Sequence, residues 1–266
     1  MKINVVAVCK NEGRILPFFL DHYSQFCDSI MLCDGHSTDN TKDIVATFPK
    51  AKLVYLDDGK ELDDVTLLRI RNEYYKQFRN QYDWQIVCDV DEFLYNPNIL
   101  EVLQRFKDQG ITFPEVDGYQ MGSKVFPKYG IPITKQVVTG ERDISRYPGY
   151  TRKRIIFNPQ KIDINYNMGC NYASPKGEVK ADCDYFYNDP YKDEIHGSIK
   201  EGVVPELKVL HYKYLSYQHL IDKSVFNMTR ISPHSILHSY GHHYEKLAKM
   251  TEEQYNQMVD KYPVVI

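Results

Sequence analysis

The sequence predicts an α/β protein built on a mostly parallel central sheet flanked by helices. Over the first 110 residues, short apolar runs rich in β-branched residues alternate with segments of helical periodicity. Strands and helices that alternate in this order form parallel sheets with right-handed crossovers. From about residue 116 the pattern is irregular, and residues 216–262 are again helical in pattern. We therefore predict a Rossmann-like sheet, then an irregular region, then a helical C-terminus.

The predicted elements follow one another along the chain at short intervals. Strands are assigned to the apolar runs Ile3–Cys9, Ser29–Cys33, Lys52–Leu56 and Trp84–Cys88. Helices are assigned to Pro17–Phe26, to the segment from Ser37 or Thr38 to Phe48, to Leu62–Asn80, and to the segment from Asn96-Pro97 to Gly110. Proline in a first turn, a Ser or Thr cap and a closing glycine are typical helix boundaries. A further strand is predicted at Lys208–Leu210.

Composition narrows the class of protein. The chain has 266 residues, of which 42% are hydrophobic and 26% charged, which suits one domain with a sizeable core. The net charge of −3 argues against a nucleic-acid-binding protein. Residues 1–115 carry −6 and the remainder +3. This asymmetry has either no functional meaning or marks a half that meets an anionic acceptor or a membrane surface.

Cysteines and apolar runs predict the compartment. The six cysteines show no CxxC spacing, and Cys9, Cys33 and Cys88 stand in apolar runs, as buried thiols do in a reducing compartment. The first apolar run is too short for a signal sequence, and no stretch has the roughly 18 apolar residues of a membrane span. We expect a cytoplasmic protein, with association at the inner face of the membrane left open.

Polar residues follow three of the predicted strands directly. They are Lys10-Asn11-Glu12, Asp34, and Asp89-Val90-Asp91. In parallel sheets ligands bind beyond the carboxyl ends of the strands. Two carboxylates at positions i and i+2 can share one divalent cation, which would neutralise a diphosphate leaving group. Asp34 could accept hydrogen bonds from a base or a ribose, whereas a capped strand–turn–helix connection explains its neighbours Gly35, Ser37 and Thr38 without a ligand.

Three ordered motifs resemble glycosyltransferase family 2 of the GT-A fold, and most closely the subgroup whose metal motif reads DxDEF. They are Val8-Cys9-Lys10-Asn11-Glu12, the run from Asp34 to Thr41, and the run from Trp84 to Phe93. The resemblance implies a single GT-A domain over 1–266, with a nucleotide-sugar-binding half (1–115), an acceptor-side half (116–215) and a helical extension (216–266). It implies sugar transfer from a nucleotide-sugar donor, with UDP expected, to a saccharide or lipid-linked acceptor in polysaccharide biosynthesis, with inversion.

The resemblance also implies roles for individual residues. Val8, Lys10 and Glu12 would border the base, and Asp34 would hold the base or ribose. Asp89 would contact the ribose or a metal-bound water, with Val90 beside it, and Asp91 would bind Mn²⁺ or Mg²⁺. Arg71 resembles the arginine of an Arg-Asn pair and would meet the donor, or it is a solvated helix charge.

His211-Tyr212 resembles a late His-Tyr element of the same subgroup. We expect His211 to be a third metal ligand, with Lys213 near the diphosphate, or else His211 packs inside the sheet. Imidazole suits Mn²⁺ better than Mg²⁺. For the base that accepts the acceptor's proton, we assign Asp182 and Asp184 by position. Their rivals are Glu178, Asp117 and Glu141.

Other classes fit the sequence less well. A phosphatase of the haloacid-dehalogenase type would use Asp89 as nucleophile, but such a motif normally follows the first strand. A dinucleotide-binding oxidoreductase would need GxGxxG after the first strand, which is missing here. A zinc site at His234, His238 and His242 is disfavoured, because Gly241 interrupts the helix. A non-catalytic nucleotide-sugar-binding protein stays open as the main alternative.

Overall fold

The computed structural model describes residues 1–56, 64–142, 154–167, 173–183, 205–237 and 241–266. Its central sheet has five strands in the order β3-β2-β1-β4-β8. These are β1 (Ile3–Cys9), β2 (Ser29–Asp34), β3 (Ala51–Tyr55), β4 (Trp84–Asp89) and β8 (Ile156–Phe157). The first four run parallel, and β8 runs antiparallel to β4. The predicted α/β fold class with a mostly parallel central sheet is confirmed.

Helices connect these strands, close to the predicted positions. They are α1 (Leu16–Ser24), α2 (Thr41–Ala46), α3 (Asp64–Glu73) and α4 (Ile99–Asp108). The predicted start of α2 at Ser37 or Thr38 is wrong. The carboxylate of Asp39 accepts hydrogen bonds from the backbone N–H and the hydroxyl of Thr41, at 3.1 and 2.6 Å, so the helix begins there. After α3, the chain tightens into a 3₁₀ helix at Tyr74–Phe78, whereas a continuous helix to Asn80 was predicted.

A second sheet adjoins the first, with the strand order β5-β11-β6-β7. Its strands are β5 (Glu92–Tyr95), β6 (Val116–Gly122), β7 (Gly140–Glu141) and β11 (Leu207–Tyr214). Two short strands, β9 (Ile162–Asp163) and β10 (Lys176–Gly177), pair separately. Because β5 follows β4 after only Val90 and Asp91, the chain passes from one sheet to the other at these two residues. The acidic motif therefore lies at the junction of the sheets.

Aromatic packing fixes this junction. Phe93 on β5 contacts Phe19 and Tyr23 of α1 and Tyr212 of β11, and all four rings are fully buried. Tyr23 Oη donates to the carbonyl of Glu92 at 2.9 Å. Truncating a buried phenylalanine costs about 3–5 kcal/mol, so these contacts are a large share of a domain's stability. Cys9, Cys33 and Cys88 are buried in the core, as predicted, and Cys27 is buried as well.

The C-terminal segment is helical, as its pattern predicts. It contains α5 (Tyr217–Met228), α6 (Pro233–Leu237), α7 (His242–Ala248) and α8 (Glu252–Val259). Ser216 caps α5, because its hydroxyl accepts a hydrogen bond from the N–H of His219 at 3.2 Å. Tyr255 of α8 donates to the carbonyl of Tyr214, at the end of β11. Within the described ranges, no helix has the length and apolar character needed to cross a membrane.

Candidate active site

The carboxyl ends of β1, β2 and β4 form one polar edge of the central sheet. In the parallel register, Cys9 lies opposite Asp34, and Val8 lies opposite Asp89. The residues that follow these strands are therefore neighbours in space. The fold brings the three predicted polar segments to a single edge, which is where ligands of open α/β sheets bind.

Hydrogen bonds join the loops that follow β1 and β2. The backbone N–H of Asn11 donates to Ser37 Oγ at 2.8 Å, and Asn11 Oδ1 accepts from the N–H of Thr38 at 2.7 Å. The N–H of Gly13 donates to Asp39 at 2.9 Å. Asn11 has a positive φ of 52°, a conformation that asparagine tolerates better than most residues. The edge is thus preformed by the protein's own contacts.

Asp34 is engaged inside this loop pair. It is only 1% exposed, and it accepts hydrogen bonds from the backbone N–H and the hydroxyl of Ser37 at 3.0 and 2.5 Å. The thiol of Cys9 lies 3.6 Å from the same carboxylate. Asp34 therefore shapes the loop, and its contact with a base or ribose stays a prediction. Lys10 packs its aliphatic chain beside Gly35, where an added Cβ would stand 3.3 Å from Lys10 Cδ.

Arg71 of α3 forms an ion pair with the carboxylate of Asp89. The arginine side chain is 12% exposed and that of Asp89 is 32% exposed. The backbone N–H of Asp89 donates to Glu92 Oε2 at 3.0 Å, which closes the turn around the motif. Arg71 is thus a member of the polar edge, and the alternative of a solvated helix charge is wrong.

Asp91 and His211 are brought together by the pairing of β5 with β11. His211 stands opposite Glu92 in the antiparallel register, and the N–H of Tyr212 donates to the Asp91 carbonyl at 2.8 Å. As a result, His211 Nε2 lies 3.5 Å from Asp91 Oδ1. The Asp91 residue is only 6% exposed. The two residues predicted as metal ligands from distant parts of the chain are therefore neighbours.

Lys223 of α5 completes this cluster and was not predicted. Its ammonium lies 2.8 Å from Asp91 Oδ2 and 3.2 Å from Glu12 Oε1. The periodicity of α5 contained a signal, because its buried face carries His219 and Asn227. Residues 219, 223 and 227 are one helical turn apart, so Lys223 lies on that face. Polar residues at the spacing of a buried helix face indicate a polar partner.

Lys223 and Asp91 stabilise each other's charged forms in this cluster. Burial opposes the charge of Lys223, but Asp91 and Glu12 outweigh it and raise the pKa of the ammonium. Burial likewise opposes the Asp91 charge, yet Lys223 and then His211 hold the pKa of Asp91 well below its usual value. Glu12 differs: burial raises its pKa to about 7, because Lys223 only partly offsets the desolvation and Asp91 adds repulsion.

Two further side chains of the C-terminal segment interact electrostatically with this cluster. Burial raises the pKa of Tyr244 to about 12; Lys223 opposes the shift, and the carboxylates of Asp89, Asp91 and Glu12 add to it. Burial lowers the pKa of Arg230, while the negative charge of Glu12 opposes that shift. The Nε atom of Arg230 is buried and has no hydrogen-bond partner among the described residues. Arg230, just after α5, and Tyr244 of α7 thus add a basic and a phenolic group to the surroundings of the acidic edge.

The arrangement of Asp91 and His211 fits one divalent cation. Two donors bonded to one ion at about 2.1 Å and at roughly 90–110° stand about 3.0–3.4 Å apart. The observed separation of 3.5 Å is close to this range. Asp89 is held by Arg71, and across the described residues no three His, Cys, Asp or Glu side chains form a metal-binding group. The predicted place of Asp89 at the metal site, through the ribose or a metal-bound water, stays a prediction. Of the three histidines considered for a zinc site, His238 lies outside the described residues.

Lys213 and Val90 lie close to the cluster in sequence. Lys213 is two positions beyond His211 on β11, and its ammonium stands 5.9 Å from the ring centre of Tyr214. Val90 is buried between Asp89 and Asp91, with 2% exposure. It therefore anchors the turn through its apolar side chain, and any donor contact of Val90 would come from its backbone.

Asp182 is placed away from this cluster. It accepts a hydrogen bond from the N–H of Glu115 at 2.8 Å, just before β6. Leu207 pairs with Val116 at that end of the sheet, and four residues of strand, or roughly 13 Å, separate Leu207 from His211. The structure does not bring Asp182 to Asp91 and His211. Asp184 lies outside the described residues.

Comparisons with known proteins give fold-level likeness alone. No protein-family model matches the chain, and no curated protein matches it. Among solved structures, it is similar to residues 1–349 of S. aureus TarS at 16% identity over 60% of this chain and 47% of the other, with a TM-score of 0.37.

Two further solved structures show similar scores. One is glucosyl-3-phosphoglycerate synthase from Mycobacterium tuberculosis with Mn²⁺, UDP and glucosyl-3-phosphoglycerate, at 21% identity over 44% of each chain, with a TM-score of 0.30. The other is 4-diphosphocytidyl-2C-methyl-D-erythritol synthase from Anaerococcus prevotii DSM 20548, at 16% identity over 60% of this chain and 70% of that one, with a TM-score of 0.33. The chain spans less than half of the TarS fragment and of the phosphoglycerate synthase. Likeness at these scores carries no conclusion about activity.

Proposed function

We propose that this protein is a glycosyltransferase that takes its sugar from a nucleotide-sugar donor, with a UDP-sugar as the expected donor. The observation that carries the proposal is the setting of Asp91. This carboxylate is buried just beyond a central parallel strand, 3.5 Å from an imidazole and 2.8 Å from an ammonium. Such a site matches the three-motif resemblance of the sequence, and it lies where α/β sheets bind ligands.

The nucleoside would lie along the carboxyl ends of β1 and β2. Val8, Lys10 and Glu12 would border this position, and Asp34 holds the neighbouring loop through its hydrogen bond from Ser37. The ribose would then meet the Asp89–Arg71 pair. Because the loops are already joined by hydrogen bonds, little ordering is needed on binding, which favours affinity.

The diphosphate would lie over Asp91. His211 and Asp91 would hold Mn²⁺ or Mg²⁺, with Mn²⁺ expected because of the imidazole. When bound, the cation neutralises the charge that develops on the departing diphosphate. Lys223 and Arg71 place further positive charge at the same edge. The surrounding burial strengthens each of these electrostatic contacts.

The acceptor would be a saccharide or a lipid-linked saccharide, and the transfer would proceed with inversion. Such a transfer needs a base for the proton of the acceptor hydroxyl. Asp182 and Asp184 remain the proposed candidates. Burial raises the pKa of Asp182, which favours proton uptake nearer neutral pH, although the hydrogen bond from Glu115 opposes that shift. The position of Asp182 beyond the far end of β11 weighs against it.

A nucleotide screen tests the proposal. Melting temperature would be measured with UDP, GDP, CDP and ADP, each with and without Mn²⁺, and hydrolysis of the matching nucleotide sugars would follow. We expect UDP with Mn²⁺ to give the largest shift and UDP-sugars to be hydrolysed slowly without acceptor. Binding without turnover would instead favour the non-catalytic alternative. Cleavage of phosphomonoesters that depends on Asp89 would favour a phosphatase.

A further inference from the structure

Lys223 occupies a position that the resemblance does not assign. Its ammonium bridges Asp91 Oδ2 and Glu12 Oε1, at 2.8 and 3.2 Å, and its side chain is 22% exposed. The two carboxylates are 9% and 17% exposed. A charge so far removed from water is held by its partners, because breaking a buried ion pair leaves an uncompensated charge. The contact is therefore specific.

The two oxygens of Asp91 have different partners. Oδ1 faces His211 at 3.5 Å, which is the side on which a shared cation fits, and Oδ2 accepts the Lys223 ammonium. A divalent cation on Oδ1 would lie a few ångströms from that ammonium. Like charges at such a distance repel strongly in a partly buried site. The ammonium and the cation therefore oppose each other at one carboxylate.

Glu12 gives the ammonium a second position. The carboxylate of Glu12 is a second anion beside Lys223, and the contacting oxygens of Glu12 and Asp91 both lie within 3.2 Å of Nζ. The Lys223 side chain can stay with Glu12 while α5 remains folded, because that contact already exists. An ammonium displaced from Asp91 thus keeps one anionic partner, and a bound diphosphate would offer another.

We infer that Lys223 competes with the divalent cation for Asp91 and moves toward Glu12 and the donor diphosphate when the cation binds. In the metal-free protein the lysine supplies the positive charge that Asp91 needs. In the loaded protein the same lysine is a ligand of the diphosphate. The inference rests on the proposed function for the identity of the donor, but the competition itself requires only the cation.

Mn²⁺ binding without nucleotide tests the competition. Calorimetric titration would compare the wild-type protein with Lys223→Met and with Lys249→Met. Lys249 is the matched control, because it is exposed and pairs with Glu245 on the surface. We expect Lys223→Met to bind Mn²⁺ at least tenfold more tightly, or about 1.4 kcal/mol, and Lys249→Met to stay within about twofold of wild type. Equal gains in both variants, or no gain in Lys223→Met, overturns the inference.

A structure of the wild-type protein with Mn²⁺ keeps the test independent of the variant's folding. We expect Lys223 Nζ to move beyond about 4 Å from Asp91 Oδ2, outside ion-pair distance. An ion on Asp91 with the 2.8 Å contact retained overturns the inference. Neither measurement involves sugar transfer. If Lys223→Met gains affinity but no nucleotide sugar is consumed, the proposed function fails and the competition stands.

Discussion

His211 Nε2 lies 3.5 Å from Asp91 Oδ1, although the two residues are separated by more than a third of the chain. The contact arises because β11 returns alongside β5 with His211 opposite Glu92. The chain thus brings together, at the junction of its sheets, the two residues that we propose as metal ligands.

This contact predicts the effect of His211→Ala. Removing the imidazole should weaken Mn²⁺ binding by at least about tenfold, since one of two protein ligands is lost, and should slow transfer. Calorimetric Mn²⁺ titration and the Mn²⁺ dependence of the rate would measure both effects, with the exposed His242→Ala as control. If His211→Ala lowers only the melting temperature and leaves the Mn²⁺ dependence unchanged, His211 is a packing residue.

Arg71 and Asp89 should behave as one unit. Each single change, Arg71→Met or Asp89→Asn, leaves a partly buried group without its ion-pair partner. The double variant loses nothing further from that pair. We therefore expect a coupling energy of about 1–3 kcal/mol in a double-mutant cycle measured by urea unfolding. Single-variant effects that add to within about 0.5 kcal/mol would show that the pair contributes little.

Asp34→Ala should lower both stability and nucleotide affinity. It leaves the partly buried N–H of Ser37 without its charged acceptor, which costs about 1–3 kcal/mol of unfolding free energy. If Asp34 also contacts the nucleotide, UDP affinity falls by about 10- to 150-fold. Ser37→Ala is the matched control, because it removes the hydroxyl and its contacts with Asp34 and the Asn11 N–H but keeps the Asp34 carboxylate. Equal loss of UDP affinity in both variants would mean that Asp34 acts through loop shape.

His22, which is partly buried, should make the fold sensitive to acid. Burial lowers the pKa of His22 to about 4, against the effect of its hydrogen bond to the Leu94 carbonyl at 2.8 Å. In the unfolded chain the pKa is about 6.5, so the unfolded state binds the proton more tightly. The free energy of unfolding should therefore fall as pH drops from about 6.5 to 4, by up to about 3 kcal/mol, with no loss above that window.

Urea unfolding at pH 7.5 and 4.5 would measure this loss in the wild-type protein and in His22→Gln. Glutamine can still donate a hydrogen bond to Leu94 but does not titrate. The wild-type protein should lose more stability than the variant between the two pH values. The same loss in both proteins would assign the acid sensitivity to other groups.

The sequence predicts the central sheet well because that sheet rests on local pattern. Four apolar runs become four parallel strands, and polar residues after three of them meet at one edge. The approach of His211 to Asp91 could be predicted because His211-Tyr212 resembles a His-Tyr element of the family and follows a predicted strand. Local pattern sufficed for the central sheet because strand burial and register follow from side-chain alternation and apolarity.

Lys223 was harder to predict because its partners come from the other end of the chain. Glu12 and Asp91 are far from residue 223 in the sequence. The packing of α5 brings their carboxylates to Lys223. Asp34 and Ser37 show the opposite case. The hydrogen bonds between them are local in sequence. They occupy the Asp34 carboxylate, which its place at a strand end had predicted to contact a ligand. Tertiary packing and local capping thus decide roles that residue type leaves open.

The most direct test of the account compares UDP-sugar hydrolysis, with Mn²⁺ present, by the wild-type protein, Asp91→Asn and Asp260→Asn. Asp260 is the matched control, since its carboxylate is exposed and pairs with Lys124 on the surface. Circular dichroism would first establish that each variant is folded. We predict that Asp91→Asn lowers the hydrolysis rate by at least about 100-fold, as expected when charge stabilisation of the leaving group is lost, and that Asp260→Asn retains the wild-type rate. Near wild-type turnover by Asp91→Asn would contradict the assignment of Asp91 as the centre of the donor site.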